Sequence, residues 1–257
     1  MFIDTIYSIL LLILSFFGAD LYDKTAPNLP SQSAEQAILV FSKTNKDVYR
    51  HPSIEAGKEA FASLAEREGW GIYVTENGAV FSDENLENFD AIIFLSTAGN
   101  ILSIGQKKAI ESFVEDGGGL VGIHAATETE PHWNWYKKAV GATYAGHVAP
   151  QAAKIEILET DATKGLPKIW ELEDEWWSFH LTDGVTLEVL GSLDESSYDV
   201  GDKHMNGQHP IIWRRNVEQG RVFYTGLGHS EEVFANPVFQ QHLINAVSWA
   251  VGDSAEH

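Results

Sequence analysis

Cysteine is absent from all 257 residues, which excludes disulfides, thiolate-ligated metals and thiol nucleophiles and leaves stability to packing. Basic residues are scarce, with 17 Lys and Arg against 37 Asp and Glu and a formal charge of -20. Such a surface repels phosphate backbones and anionic membranes, so nucleic acid is not an expected partner. Several catalytic signatures are missing as well. No G-x-S-x-G elbow, G-x-x-x-x-G-K-[ST] phosphate loop, H-x-H or H-E-x-x-H occurs, which removes the usual serine hydrolase, nucleotide and local metal motifs. The run Gly117-Gly118-Gly119 lies before an apolar strand, where a helix must stop, and not after it, where a dinucleotide loop would sit.

The N-terminal segment carries one apolar run, Ile6 to Phe17 in "MFIDTIYSILLLILSFFGAD". It is short for a membrane span and suits a secretory signal. Residues 1–19 are therefore expected to be a signal peptide leading to the periplasm or outside the cell. The alternative is an uncleaved N-terminal membrane anchor, because no Lys or Arg precedes the run and Phe17-Gly18-Ala19 is a poor cleavage site. Residues 20–36 read as a polar linker, 37–252 as one domain and 253–257 as a tail.

Within 37–252, short apolar runs alternate with amphipathic ones, the pattern of parallel strands joined by covering helices. "AILVFSKT", "GIYVTEN", "NFDAIIFLST", "LVGIHA" and "AAKIEILET" read as strands. Helices are expected in "SIEAGKEAFASLAEREG" with Ser53 as N-cap, in "IGQKKAIESFVEDGGG" with Ile104, Ile110, Phe113 and Val114 inward, in "HWNWYKKAVG", and in "PVFQQHLINAVSWAVG". "HPIIWRRNVEQGRVFYTGLGH" reads as a hairpin around Glu218-Gln219-Gly220. The expected fold is α/β: a flavodoxin-like three-layer open sheet, mostly parallel, with a C-terminal hairpin. Ligands in such folds sit at the carboxyl ends of the strands, which selects Ser42–Thr44, Ser96–Asn100, His124–Thr129 and Gly226–Glu231.

His51, His124, His147, His209 and His229 fall at strand ends or in loops. A single histidine there is usually a hydrogen-bonded structural residue, but "GIHAA" and "GLGHS" place His124 and His229 beside small residues, where an exposed ring can project into a cleft. Acid–base chemistry and metal binding both suit such a set. In "ELEDEWWSFH", Asp174 and Glu175 adjoin Trp176, Trp177 and Phe179, either as core or as a surface that stacks on sugar rings. Trp133, Trp135 and Tyr136 pose the same alternatives.

Five motifs, "FSKTNKDVYRHPSIEAG", "GGGLVGIHAATETEPHWNWYKKAVGATYAGH", "DEWWSF", "HPIIW" and "GRVFYTGLGHSEEVFANPVFQQHLINAVSWA", resemble the ThuA-like, or trehalose-utilisation, family in order over about residues 37–252. The resemblance implies a fold similar to class I glutamine amidotransferases, in which the turn after this strand holds a cysteine nucleophile. Here His124 stands at that place, so amidotransferase chemistry is not expected. It also implies a carbohydrate-utilisation enzyme acting on a keto-sugar or oxidised glycoside by isomerisation, hydrolysis or elimination, with a sugar oxidoreductase in the same pathway.

The family-like polar positions are Tyr49, Arg50, His51, His124, His147, Glu175, His209 and His229. The expected catalytic groups are His124, His229 and Glu175. His51, Tyr49, Arg50, His147, Trp133, Trp176 and His209 are expected to contact the saccharide. A divalent metal such as zinc would fall on His124, His147 and His229. The alternative function is a non-catalytic sugar-binding or protein-interaction domain.

Overall fold

The computed structural model describes residues 22–29 and 34–252. The expected signal peptide or anchor and the tail lie outside the described residues, and no helix among those described is long and apolar enough to cross a membrane. Strands β1 (Ala37–Phe41), β3 (Ala91–Leu95) and β4 (Gly119–Ile123) are buried at every position, as strands covered on both faces must be. With β2 (Gly71–Thr75) and β11 (Gly220–Thr225) they form a parallel half-sheet in the order β2-β1-β3-β4-β11. Helix α1 (Ser53–Glu68) follows β1, α2 (Asp83–Leu86) follows β2 and α3 (Ile104–Glu115) follows β3.

Strand β10 (His209–Val217) pairs antiparallel with β11 as the expected hairpin, its turn formed by Glu218 and Gln219 with Glu218 at φ 50°. The sheet then continues antiparallel through β9 (Glu188–Leu193), β6 (Gln151–Ile157) and β7 (Ile169–Asp174), giving nine strands. A separate antiparallel pair joins β5 (Ala142–His147) to β8 (Trp177–Leu181). Helix α4 (Asn134–Val140) leads into β5, and α5 (Glu231–Ala235) and α6 (Pro237–Val251) close the described chain.

The glycine run does two jobs. Helix α3 opens with a capping box between Ser103 and Gln106, a device contributing about 1 kcal/mol. It ends at Asp116, after which Gly117 takes φ 121°, a conformation that favours glycine. A Cβ at Gly119 would stand 2.6 Å from the Ala250 carbonyl oxygen, so only glycine lets α6 lie against the start of β4.

Three local expectations are corrected. Ser53 is the first residue of α1, not its cap, and its hydroxyl donates to the Gly228 carbonyl at 2.9 Å. Ile104 is exposed at the first position of α3, where the preceding turn offers it no cover. Phe113 is half-buried and lies over Gly118, at the rim of the core.

Candidate functional site

Strand β4 ends in a sharp turn. His124 has φ 51°, a left-handed conformation that costs a non-glycine residue about 1–3 kcal/mol and persists only where the surroundings hold it. The Tyr224 hydroxyl of β11 donates to the His124 carbonyl at 2.6 Å, and the Tyr136 hydroxyl of α4 donates to the Ala126 carbonyl at 2.9 Å. The ring is fixed too. Its Nδ1 lies 2.9 Å from the Gly226 carbonyl oxygen; a carbonyl can only accept, so Nδ1–H is committed there and Nε2 is the atom left to face the other groups.

Nε2 faces a convergence of three other segments. His51 Nε2, from the loop after β1, is 3.1 Å away, and Glu175 Oε2, from the break between β7 and β8, is 3.6 Å away. His229 Nδ1, from the loop after β11, is 3.3 Å from Glu175 Oε2 but out of line for a hydrogen bond. At the rim, His147 Nδ1 of β5 meets Glu175 Oε1 at 3.0 Å, and the Trp177 indole donates to Glu175 Oε2 at 2.6 Å.

Asp174 locks the two halves of this arrangement together. Its buried carboxylate accepts from the backbone amides of Glu175 at 2.9 Å, Gly228 at 2.8 Å and His229 at 3.1 Å. One side chain thereby sets the backbone that presents both Glu175 and His229.

Burial and mutual repulsion govern the charges. Burial, then the neighbouring His124 and His229, push His51 down to about 3, so its ring stays neutral. Burial alone would raise Glu175, yet His124, His229 and Trp177 outweigh it and hold the carboxylate well below its usual range. Contact with Glu175 raises His229. Burial raises Glu128, which stands at the end of the 124–128 turn, bringing a carboxylate nearer to the range where it exchanges protons at neutral pH.

A cavity of about 320 Å³ opens over this cluster, lined by Tyr49, His51, Glu128, Tyr144, His147, Glu175, Trp177 and His229. It is of the size that takes a small ligand. His124 is fully buried beneath it, which corrects the expectation of an exposed ring: the strained turn points the imidazole inward. A wider hollow of about 550 Å³ lies at the amino ends of β3 and β4 and is lined by Asp83, Glu87, Asp90 and Asp116 with apolar neighbours. It gathers no imidazole.

The residues expected to touch a saccharide divide. Tyr49, His51 and His147 line the cavity. Arg50 instead pairs with Glu55 and Glu76, Trp133 stacks on Trp135 and Tyr136 and donates to Glu111, and Trp176 is core, donating to the Gln151 carbonyl. His209 is buried between the Glu195 carboxylate and the Trp177 carbonyl, at 2.9 Å from each, and so supports Trp177 from behind. Of the expected metal residues, His124 and His229 converge with His51 and Glu175, while His147 is not among the four whose ligand atoms lie within 4.8 Å of one another.

Sequence reasoning did not single out Glu128 and Tyr144, and it weighed Trp177 only as one of an aromatic stretch. No local signal separates the two adjacent tryptophans, because Trp176 lies in the break after β7 and Trp177 opens β8.

The sequence profile of the ThuA family, described as trehalose utilisation, matches residues 37–250. The chain belongs to the ThuA family. A ThuA-like protein of Bacteroides uniformis is 25% identical, with a TM-score of 0.73 over 88% of this chain and 95% of that one. A ThuA-like protein of Parabacteroides merdae is 16% identical, with a TM-score of 0.66 over 84% and 90%. A β-galactosidase from Bacillus circulans, 14% identical with a TM-score of 0.56, shares the fold over 83% of this chain and 31% of its own. Comparison with curated proteins gives no sequence match. ThuA membership supports a carbohydrate-related role and agrees with the flavodoxin-like arrangement of the parallel half-sheet.

Proposed function

We propose that this ThuA protein is an enzyme that binds a keto-sugar or oxidised glycoside in the 320 Å³ cavity and moves a proton next to its carbonyl. The observation that carries the reading is the pairing, in one cavity, of a carboxylate raised by burial, Glu128, with a cluster of imidazoles around Glu175. Tyr144 and Trp177, with ring centroids 4.4 Å apart, offer an apolar face for the sugar ring.

In the proposed step, Glu128 takes the hydrogen beside the carbonyl as a proton. The C–H electron pair becomes a carbon–carbon double bond, and the carbonyl π pair moves onto oxygen. Charge developing there is met by His229, which lines the cavity and whose contact with Glu175 favours its protonated, donating form. His147, half-exposed and bonded to Glu175, supplies the proton that the oxygen takes. Return of a proton to the former carbonyl carbon, as the neighbouring hydroxyl loses its own, gives the isomer. Alternatively the enolate oxygen pair re-forms the carbonyl, the double-bond pair moves to the α,β position, and a β-placed glycosidic oxygen departs with its bond pair and takes the proton that Glu128 holds, which gives elimination. Export and a partner sugar oxidoreductase remain part of the proposal, since a keto-sugar must be made by oxidation.

The test is NMR in D₂O with 3-keto and unoxidised disaccharides. Wild-type protein is expected to place deuterium beside the carbonyl of the keto substrate alone, and Glu128→Gln to slow this by about 10²–10⁴-fold. Folded wild-type protein that neither exchanges nor converts any keto-disaccharide overturns the reading.

A further inference from the structure

We infer that His51, His124, His229 and Glu175 form a binding site for one divalent first-row transition-metal ion, with zinc as the best fit. Each residue offers one ligand atom, and the four atoms lie within 4.8 Å of one another. The separations of 3.1 Å (His51 to His124), 3.6 Å (His124 to Glu175) and 3.3 Å (His229 to Glu175) have the scale of tetrahedral edges. Ligands held about 2.0–2.2 Å from zinc stand about 3.3–3.6 Å apart.

The donor chemistry agrees with the geometry. Three imidazoles and one carboxylate, with no sulfur, suit zinc and its neighbours better than magnesium or calcium, which take oxygen ligands. His124 has the backing a metal-bound imidazole normally has: its Nδ1–H is committed to the Gly226 carbonyl, leaving Nε2 as the ligand atom in a fixed orientation. The left-handed turn at His124, pinned by Tyr224 and Tyr136, holds that orientation at a cost in backbone strain.

Two buried nitrogens, His51 Nδ1 and His229 Nδ1, have no hydrogen-bond partner among the described residues. Buried polar atoms are rarely left so, and a cation between these rings engages the His229 nitrogen that faces Glu175. The cluster also opens to the cavity through His51, Glu175 and His229, so an added ligand can reach the ion, as in sites where zinc acts on a bound oxygen. The inference differs from the sequence expectation in two residues: His51 and Glu175 enter the set and His147 leaves it.

The site does not depend on the identity of the sugar, and its test uses no substrate. Tag-free protein is stripped with a chelator, and zinc chloride alone is titrated calorimetrically, with magnesium chloride as comparison. The expected result is one zinc per chain and far weaker magnesium binding. His51→Ala and His124→Ala are expected to weaken zinc binding by about 100-fold or more, beyond the scale of losses from residues that merely orient ligands. His147→Ala, which removes a partner of Glu175 and no ligand, is expected to cost less than either. X-ray absorption of the zinc-loaded wild type needs no variant and is expected to show nitrogen and oxygen neighbours at about 2.0–2.2 Å, several of them imidazoles. Folded wild-type protein that takes up no zinc, or zinc bound equally well by His51→Ala and His124→Ala, overturns the inference.

Discussion

The parallel and antiparallel halves of the molecule contribute different chemistry to one site. From the parallel half come three imidazoles, His51 after β1, His124 after β4 and His229 after β11, all at carboxyl ends of strands. From the antiparallel half and the small β5–β8 pair come the carboxylate of Glu175, the Trp177 and Tyr144 rings and His147. The first half is a fold rule in operation, since loops at strand ends gather where helices leave the sheet. The second half is a lid built from chain that obeys no such rule. The site exists only where the two meet.

The seam is therefore the place to break the molecule first. Asp174 ends β7, yet two of its three amide donors, Gly228 and His229, belong to the loop after β11. Asp174→Ala leaves those amides buried without acceptors and is expected to cost about 2–4 kcal/mol, read as a lower urea midpoint with an unchanged m-value. Sugar turnover should fall further than stability, because Glu175 and His229 lose their common support. A variant with wild-type stability and turnover would show that the halves dock without this carboxylate.

The two halves also differ in how much of them is legible in the sequence. Runs such as "AILVF" and "AIIFL" announce strands buried on both faces, and amphipathic runs with glycine stops announce the helices between them, so the mostly parallel sheet and the strand-end positions of His124 and His229 follow from local signals. The antiparallel half gives weaker ones. β7 alternates exposed and buried residues over six positions, and the chain passes from β7 to β8 through a break at Glu175-Trp176 that carries no glycine or proline, so "ELEDEWWSFH" does not show where one strand ends. Trp176 and Trp177 look equivalent in sequence. Only the direction of the chain after the break sends Trp177 to the cavity and Trp176 to the core.

A gentler change tests whether the parallel half shapes His124 alone. Tyr224→Phe removes the hydroxyl that donates to the His124 carbonyl and is expected to cost about 1 kcal/mol for the lost hydrogen bond. Hydrogen exchange should quicken in the 124–128 turn while β5 and β8 keep their protection. Equal loosening of both would mean that the strained turn supports the lid as well as the imidazole.

Away from the site, His242 of α6 joins the same two halves with nothing but packing. It lies against Trp170 of β7 on one side and Phe223 of β11 on the other, with Phe239 of its own helix beside it, and neither ring nitrogen has a hydrogen-bond partner among the described residues. Burial pushes it down to about 3 from 6.5. Between those values the unfolded chain binds a proton that the native state refuses, so stability falls as pH drops through 6.5 toward 3, and the group has no effect above that window. One such proton gives a slope of at most about 1.4 kcal/mol per pH unit. His242→Leu removes the proton site and keeps an apolar side chain between the halves, so the difference in unfolding free energy between variant and wild type should grow in the variant's favour from pH 6.5 to pH 4. The remaining titrations are common to both proteins and cancel in that difference. A difference that stays flat with pH would mean that the native protein already admits a proton at His242, and that the seam opens there more readily than at Asp174.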